Sequence, residues 1–175
     1  MKIGKNFKNY GNIEKMNRHL LEIGDDVILG GGSKIILHCP ISCYKPNPEI
    51  IIGDMVYVGY DCAILPSTKI GRMALVGLKS VVTGEVPPYS IYAGNKVIRK
   101  REIGEILNYY IIRRLQKPPR FLGEKPTDWK ILEISHIKQA LGYDTEFCYD
   151  DTIDFSLSAE DFVEKYAKEW VEKTT

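Results

Sequence analysis

The chain has 175 residues, 44% of them hydrophobic, and a formal net charge of +1. This length and apolar content suffice for one globular unit with a buried core and an appendage, and the near-neutral charge argues against general nucleic-acid binding. The polar opening MKIGKNFKNYGN lacks an apolar signal segment, and no apolar run approaches the roughly 20 residues of a membrane span, so a cytoplasmic protein without a membrane segment is expected.

Residues 1–22 read as a lead-in segment. From there an aliphatic residue stands at every sixth position: Ile23, Leu29 and Ile35, then Ile52, Val58, Ile64, Ile70, Val76 and Val82. Helical spacing near 3.6 and strand spacing near 2 cannot produce this period, whereas a hexapeptide β-solenoid of short segments joined by corners does. Gly follows the aliphatic at Gly24, Gly30, Gly53, Gly59, Gly71 and Gly77, where a corner is expected to need unusual dihedrals. The exceptions, Ile36, Leu65 and Thr83, fall on every third hexad, which gives three faces per turn and coils at 23–40, 52–69 and 70–87. Four residues beyond each aliphatic stand Val27, Ser33, Cys39, Val56, Cys62, Thr68, Ala74, Ser80 and Val86, all small or β-branched and expected to fill a narrow interior.

Residues 41–51, ISCYKPNPEII, read as a loop leaving the solenoid at one corner, since Pro46 and Pro48 interrupt strand pairing. A fourth coil one residue short, starting at Ile41, is the alternative; the regular absence of Gly on one face favours the loop. The β-helix then spans 23–92. Beyond the turn at Pro87 and Pro88, residues 93–175 are expected to form a capping helix and a mixed helical tail. A helix from Glu102 to Leu115 would cover the open edges of the solenoid. A short helical pattern follows from Trp129 to Leu141, and Asp144 to Asp154 is acidic and turn-like. Ser158 and Asp161 then open an amphipathic helix at capping-box spacing, with Phe162, Tyr166 and Trp170 on one face. Cys39, Cys43, Cys62 and Cys148 show no CxxC spacing and read as reduced thiols.

The stretch IIGDMVYVGYDCAILPSTKIGRMALVGLKSVVTGEVPPYSIYAGNKVIRKR resembles the end of hexapeptide-repeat acyltransferases, especially their sugar and antibiotic O-acetyltransferase branch. The resemblance covers residues 23–101. It implies an all-β solenoid, a left-handed parallel β-helix with a C-terminal helical extension. It also implies a homotrimer, with acetyl-CoA bound in the cleft between adjacent solenoids. By the same resemblance Gly77, Ser80, Ala93, Gly94 and Asn95 suit the pantetheine arm. Lys79, Lys96, Arg99, Lys100 and Arg101 are candidates for the phosphates, where Arg can make bidentate contacts; a solvated basic start to a helix is the other reading. The family's usual ending reads AGNPAKVIR, and this chain passes from Asn95 straight to Lys96, two residues shorter. Tyr57 stands where the family often has Trp, either stacking on an acceptor ring or facing outward from a strand.

Acyl transfer needs a base for the acceptor hydroxyl, and His has the pKa for neutral operation. His19 and His136 read as structural. His38 stands at the mouth of the loop, about two residues earlier than the family's catalytic His, and is the candidate general base. The sequence identifies no orienting partner for it. Ser42, Tyr44 and Lys45 in the loop are candidates to contact the acceptor. Cys39 and Cys43 lack a recognisable activating partner for a covalent route. A zinc hydratase of the γ-carbonic anhydrase kind needs three converging His, and no HxxxxH pair exists, so no metal is expected. The reading is an acetyl-CoA-dependent O-acetyltransferase acting on a hydroxyl of a sugar or polysaccharide precursor. N-acetylation of an amino-sugar nucleotide and a non-catalytic trimeric CoA-binding scaffold are the alternatives.

Overall fold

A computed structural model describes residues 1–38, 49–106, 109 and 156–166. Two-residue and three-residue strands follow one another around three faces. The first coil contributes β1 (Lys2–Ile3), β2 (Lys8–Asn9) and β3 (Asn12–Ile13), and the second β4 (Leu21–Ile23), β5 (Ile28–Leu29) and β6 (Lys34–Ile35). The third holds β7 (Ile50–Ile52), β8 (Tyr57–Val58) and β9 (Ala63–Ile64), and the fourth β10 (Lys69–Ile70), β11 (Leu75–Val76) and β12 (Val81–Val82). A partial fifth turn carries β13 (Glu85–Val86) and β14 (Ser90–Ala93), followed by β15 (Lys96–Lys100). The strands stack into three sheets, in the orders β1-β4-β7-β10-β13, β15-β14-β11-β8-β5-β2 and β12-β9-β6-β3. Apart from the antiparallel pair β14–β15, the paired strands of these sheets are parallel. The chain is a three-sided parallel β-helix over this region.

The period of six is the core. All nine repeated aliphatics are at most 2% exposed, as are Val27, Ser33, Val56, Cys62, Thr68, Ala74, Ser80 and Val86. Each hexad therefore sends one large and one small side chain inward. Tyr92 replaces the aliphatic in the fifth turn, with its hydroxyl donating to the Val81 carbonyl at 2.9 Å, so a ring spans the end of the core between two sheets.

The glycines answer to a different cause from the one expected. The residues after the aliphatics do not carry positive φ; that conformation sits two residues later, at Asp26, Met55, Asp61, Ser67, Met73, Lys79 and Tyr89. Left-handed backbone costs such residues roughly 1–2 kcal/mol each. The N–H groups of Asp26, Met55, Asp61, Met73, Lys79 and Tyr89 bond to carbonyls of the preceding coil, as Met55 does to Asp25 (2.7 Å) and Met73 to Asp54 (2.9 Å). Glycine is required because neighbouring coils touch there: a Cβ on Gly53 would stand 2.7 Å from the Arg72 nitrogen, and one on Gly71 would stand 2.3 Å from that of Pro88.

Residues 1–22, read as a lead-in, hold the first coil over 1–20 and the start of β4. Ile3 partners Ile23 and Ile13 partners Ile35, spacings of 20 and 22 instead of 18, because the turn after β3 includes a 3-10 helix at Arg18–Leu20. Ile23 partners Ile52, 29 positions on, eleven more than a coil; of the expected loop at 41–51, residues 41–48 lie outside the described residues, and Ile50 and Ile51 belong to β7 because they pair with Leu21 and Glu22. Val86, placed from sequence among the small interior partners, instead partners Ile70 and opens the fifth turn, because the corner through Gly84 (φ +75°) is two residues shorter. The hexad pattern thus continues through Tyr92. The missing residues after Asn95 produce a two-residue hairpin turn, Gly94–Asn95, with Gly first at φ +65° as a type II′ turn requires. β15 then runs back along β14 and covers the edge of the second sheet.

Residues from Arg101 onward form a second unit. Its described part contains a helical turn at 103–106 and helix α1 (Ala159–Tyr166). Glu102 bridges Ser158, and Ile103, Ile106 and Phe162 are buried. The Ser158 hydroxyl accepts the Asp161 N–H at 3.1 Å and lies 2.6 Å from its carboxylate, the expected helix start. Arg101 is 4% exposed, with its guanidinium 5.1 Å from the Tyr109 ring centre, and so is not a surface phosphate ligand. The remainder of the expected 102–115 helix, the 129–141 and 144–154 segments and Trp170 lie outside the described residues, as do Cys39, Cys43, Cys148 and His136. Cys62 is a buried free thiol.

Candidate functional site

Two groups of the residues singled out from sequence lie on the solenoid. The first surrounds His38. β3 and β6 stack in the third sheet, so the residues following them meet at the same corner in successive coils. There the carboxylate of Glu14 accepts the N–H of Leu37 (2.7 Å) and of His38 (3.1 Å), and lies 2.7 Å from the His38 Nδ1. His38 is 46% exposed in its side chain, so the ring stands at the surface with one edge held. Burial pushes the Glu14 pKa upward, but the hydrogen bonds from His38 and the two backbone N–H groups outweigh it and hold the carboxyl below its usual value. Glu14 was missed in the sequence because its coil departs from the period of six. The available signal was Ile3–Gly4, which repeats the aliphatic–glycine pair of Ile23–Gly24.

The second group lies where the fourth and fifth turns pass from the second sheet toward the third. Gly77 N–H bonds to the Tyr92 carbonyl (2.8 Å), Val81 N–H to the Gly94 carbonyl (2.7 Å), and Lys79 N–H to Tyr60 (2.8 Å). A Cβ on Gly77 would stand 3.3 Å from that of Ala93. Gly77, Ala93, Gly94 and Asn95 are thus brought to one corner, with Lys79 exposed beside them and Lys96, Arg99 and Lys100 exposed along β15. Over its five residues that strand spreads its cations across roughly 13 Å. Ser80 departs from its expected role: it is fully buried, its Oγ donating to the Gly77 carbonyl (2.6 Å) and accepting the Gly94 N–H (3.1 Å). Its hydroxyl ties the fourth coil to the hairpin and does not face a ligand.

The two groups are separate within one chain. His38 lies in the second coil at the corner after the third sheet; the Gly77 group lies two coils further along, at the corner before that sheet. At the ordinary strand spacing this is about 10 Å along the axis, plus the width of a face. Tyr57 is on the outer surface of the second sheet, half-buried between Ile28 and Leu75 of neighbouring coils, and is not beside His38. Ser42, Tyr44 and Lys45 lie outside the described residues. His19 is exposed in the 3-10 helix. Among the described residues no three His, Cys, Asp or Glu side chains cluster as metal ligands, and no helix is long and apolar enough to cross a membrane.

No family model matches the chain. Among curated proteins it is 40% identical over 60 residues to a chloramphenicol acetyltransferase of Agrobacterium fabrum, covering 33% of this chain and 29% of that one. It is 43% identical over 63 residues to one of Klebsiella aerogenes, covering 35% and 30%. The chain spans under a third of the length of these relatives. Among solved structures, a maltose O-acetyltransferase from Clostridium difficile 630 aligns with TM-score 0.49 and 30% identity, over 57% of this chain and 58% of that one. A galactoside acetyltransferase in complex with coenzyme A aligns with TM-score 0.49 and 28% identity, over 56% and 54%. Over the repeat region the chain is thus similar in sequence to proteins named as acetyltransferases.

Proposed function

We propose that the protein is an acetyl-CoA-dependent O-acetyltransferase, with His38 as general base and a hydroxyl of a sugar or polysaccharide precursor as acceptor. The observation that carries this reading is the His38 ring, exposed at a corner with Nδ1 engaged by Glu14, which leaves Nε2 for a substrate. His38 Nε2 receives the hydroxyl proton as the oxygen attacks the thioester carbonyl, and returns a proton to the thiolate when the tetrahedral adduct collapses. The matches to chloramphenicol acetyltransferases support acetyl transfer as the reaction.

The donor fits the second group of residues. The corner of Gly77, Ala93, Gly94 and Asn95 supports a pantetheine arm by letting it approach the backbone closely and by the exposed Asn95, the N–H groups of Gly77 and Gly94 being already bonded within the solenoid. Lys79, Lys96, Arg99 and Lys100 supply positive charge over a length suited to a nucleotide phosphate end.

Because His38 and this group occupy different corners, the reading requires a second subunit, and a homotrimer with donor clefts between solenoids supplies it. The outer faces support this. The outward row of the first sheet is Lys2, Glu22, Ile51, Lys69 and Glu85, charged except at Ile51, whereas that of the second is Lys8, Ile28, Tyr57, Leu75 and Ile91, apolar beyond Lys8. At the corner between the second and third sheets Tyr60 and Leu78 are 62% and 67% exposed, an apolar ridge that a neighbouring solenoid would cover. A cytoplasmic setting accords with this use of acetyl-CoA.

The test is a coupled thiol-release assay with acetyl-CoA and a panel of free sugars, oligosaccharides and chloramphenicol, on wild type and His38→Ala. Acceptor-dependent release, reduced about 100-fold or more in the variant, is expected. Release unaffected by the substitution would remove His38 as the base.

A further inference from the structure

We propose that Glu14 is the positioning residue of this site: one carboxylate, carried by the outermost coil, fixes both the ring of His38 and the backbone at Leu37–His38. That His38 acts as a base rests on the reading above; the clamp itself rests on geometry alone.

The carboxylate is itself well placed. Glu14 follows β3 directly, and its N–H continues the ladder to the Ile35 carbonyl at 3.1 Å. Its own carbonyl accepts Arg18 Nε at 3.0 Å, which closes the segment over itself. The side chain therefore starts from a fixed Cα and reaches across to the next coil. There it accepts two consecutive backbone N–H groups, from Leu37 and His38. Asn17 completes the grip from the other side, its Nδ2 donating to the Leu37 carbonyl at 3.2 Å, and the Leu37 side chain is 1% exposed in the core. Residues 14–17 thus hold the chain immediately before it enters residues 39–48, the segment that carries Ser42, Tyr44 and Lys45.

An ionised carboxylate has no proton to donate, so the short contact with Nδ1 requires that Nδ1 carry the proton. A neutral His38 then presents the Nε2 lone pair outward, the form a base must have. As Nε2 gains a proton the ring becomes cationic, and the same carboxylate lies against it. A side chain that served only to anchor the backbone would need the two N–H contacts and not the third. One that served only the ring would not need the backbone. Glu14 makes all three, so the ring of His38 and the backbone at Leu37–His38 are set by one group.

The experiment is nitrogen-15 NMR of full-length protein labelled at histidine, at neutral pH, with His38→Gln used to assign the His38 signals. Wild type is expected to show the Nδ1–H tautomer. Glu14→Ala, with melting and circular dichroism showing a retained fold, is expected to revert to the Nε2–H form preferred by imidazole in water. Glu14→Gln keeps the side-chain length and serves if the alanine variant does not fold. In transfer assays the variant should lose roughly tenfold or more in kcat, with KM for acetyl-CoA within about twofold. An Nε2–H tautomer in wild type, or a His38 spectrum unchanged by loss of the carboxylate, would overturn the proposal even if transfer activity were present. The stated tautomer and its shift in the variant would uphold the clamp even if no acceptor were acetylated, a result that would instead sink the transferase reading.

Discussion

His38 Nδ1 and the carboxylate of Glu14 lie 2.7 Å apart, although 24 positions separate the two residues in the chain. Register makes the pairing: Asn12 partners Lys34 and Ile13 partners Ile35, so whatever follows β3 is delivered to whatever follows β6. The contact has a stability consequence with a definite sign. The folded-state pKa of Glu14 is held below its ordinary value near 4.5. Its contribution is therefore fully present above that ordinary value and is lost as pH falls through the depressed folded value. Thermal melts of wild type and Glu14→Gln should differ at pH 7 and converge as the medium is acidified from the ordinary value near 4.5 through the depressed folded value. A gap that widens on acidification would contradict the assignment.

Coil contact, and not turn conformation, explains the glycines, and two positions separate these causes. A Cβ on Gly59 would stand 2.8 Å from the Leu78 nitrogen and 3.0 Å from the Val76 carbonyl oxygen, whereas one on Gly77 would come no nearer than 3.3 Å, to the Ala93 methyl. Gly59→Ala should destabilise by about 1–3 kcal/mol, the usual cost of overpacking. Gly77→Ala should cost well under half as much. Denaturant titration of the two variants makes the comparison, and equal losses would argue for conformation instead.

The interior column is continuous, so a cavity in it should be felt as in any close-packed core. Ile64 is fully buried, with register partners Ile35 and Val82 above and below it. Ile64→Ala should lower unfolding free energy by about 2–5 kcal/mol. Urea midpoints measure this, and a loss below about 1 kcal/mol would indicate a column that collapses to fill the gap.

The apolar ridge at Tyr60 and Leu78 makes a prediction about assembly. Three chains of 19.9 kDa should sediment as a particle of about 60 kDa. Leu78→Glu places an unpaired charge in the contact and should shift the protein toward about 20 kDa. An unchanged mass in the variant would place the interface elsewhere.

The solenoid was legible because its period is fixed by geometry: each face takes the same number of residues, and the core accepts only the same pair of inward side chains. Legibility failed where that economy was relaxed. In the first coil Asn9 occupies the place of an aliphatic and the segment 14–20 lengthens the turn, so the coil did not announce itself and Glu14 went with it. At Gly84 a corner two residues shorter moved Val86 into a new role. The hairpin at Gly94–Asn95 was visible only as a departure from a familiar ending, because a tight turn and a missing segment look alike until pairing is known. Ser80 illustrates a further limit: small polar residues at the interior position and at a ligand cleft have the same spacing, and only burial tells them apart.

Calorimetric titration of acetyl-CoA into wild type and into Lys96→Ala/Arg99→Ala/Lys100→Ala tests the central claim most directly. Micromolar binding to wild type, weakened at least about tenfold when the three cations of β15 are removed, is the predicted result. No detectable heat with a folded, assembled wild-type protein would contradict the acetyltransferase reading and leave a solenoid scaffold in its place.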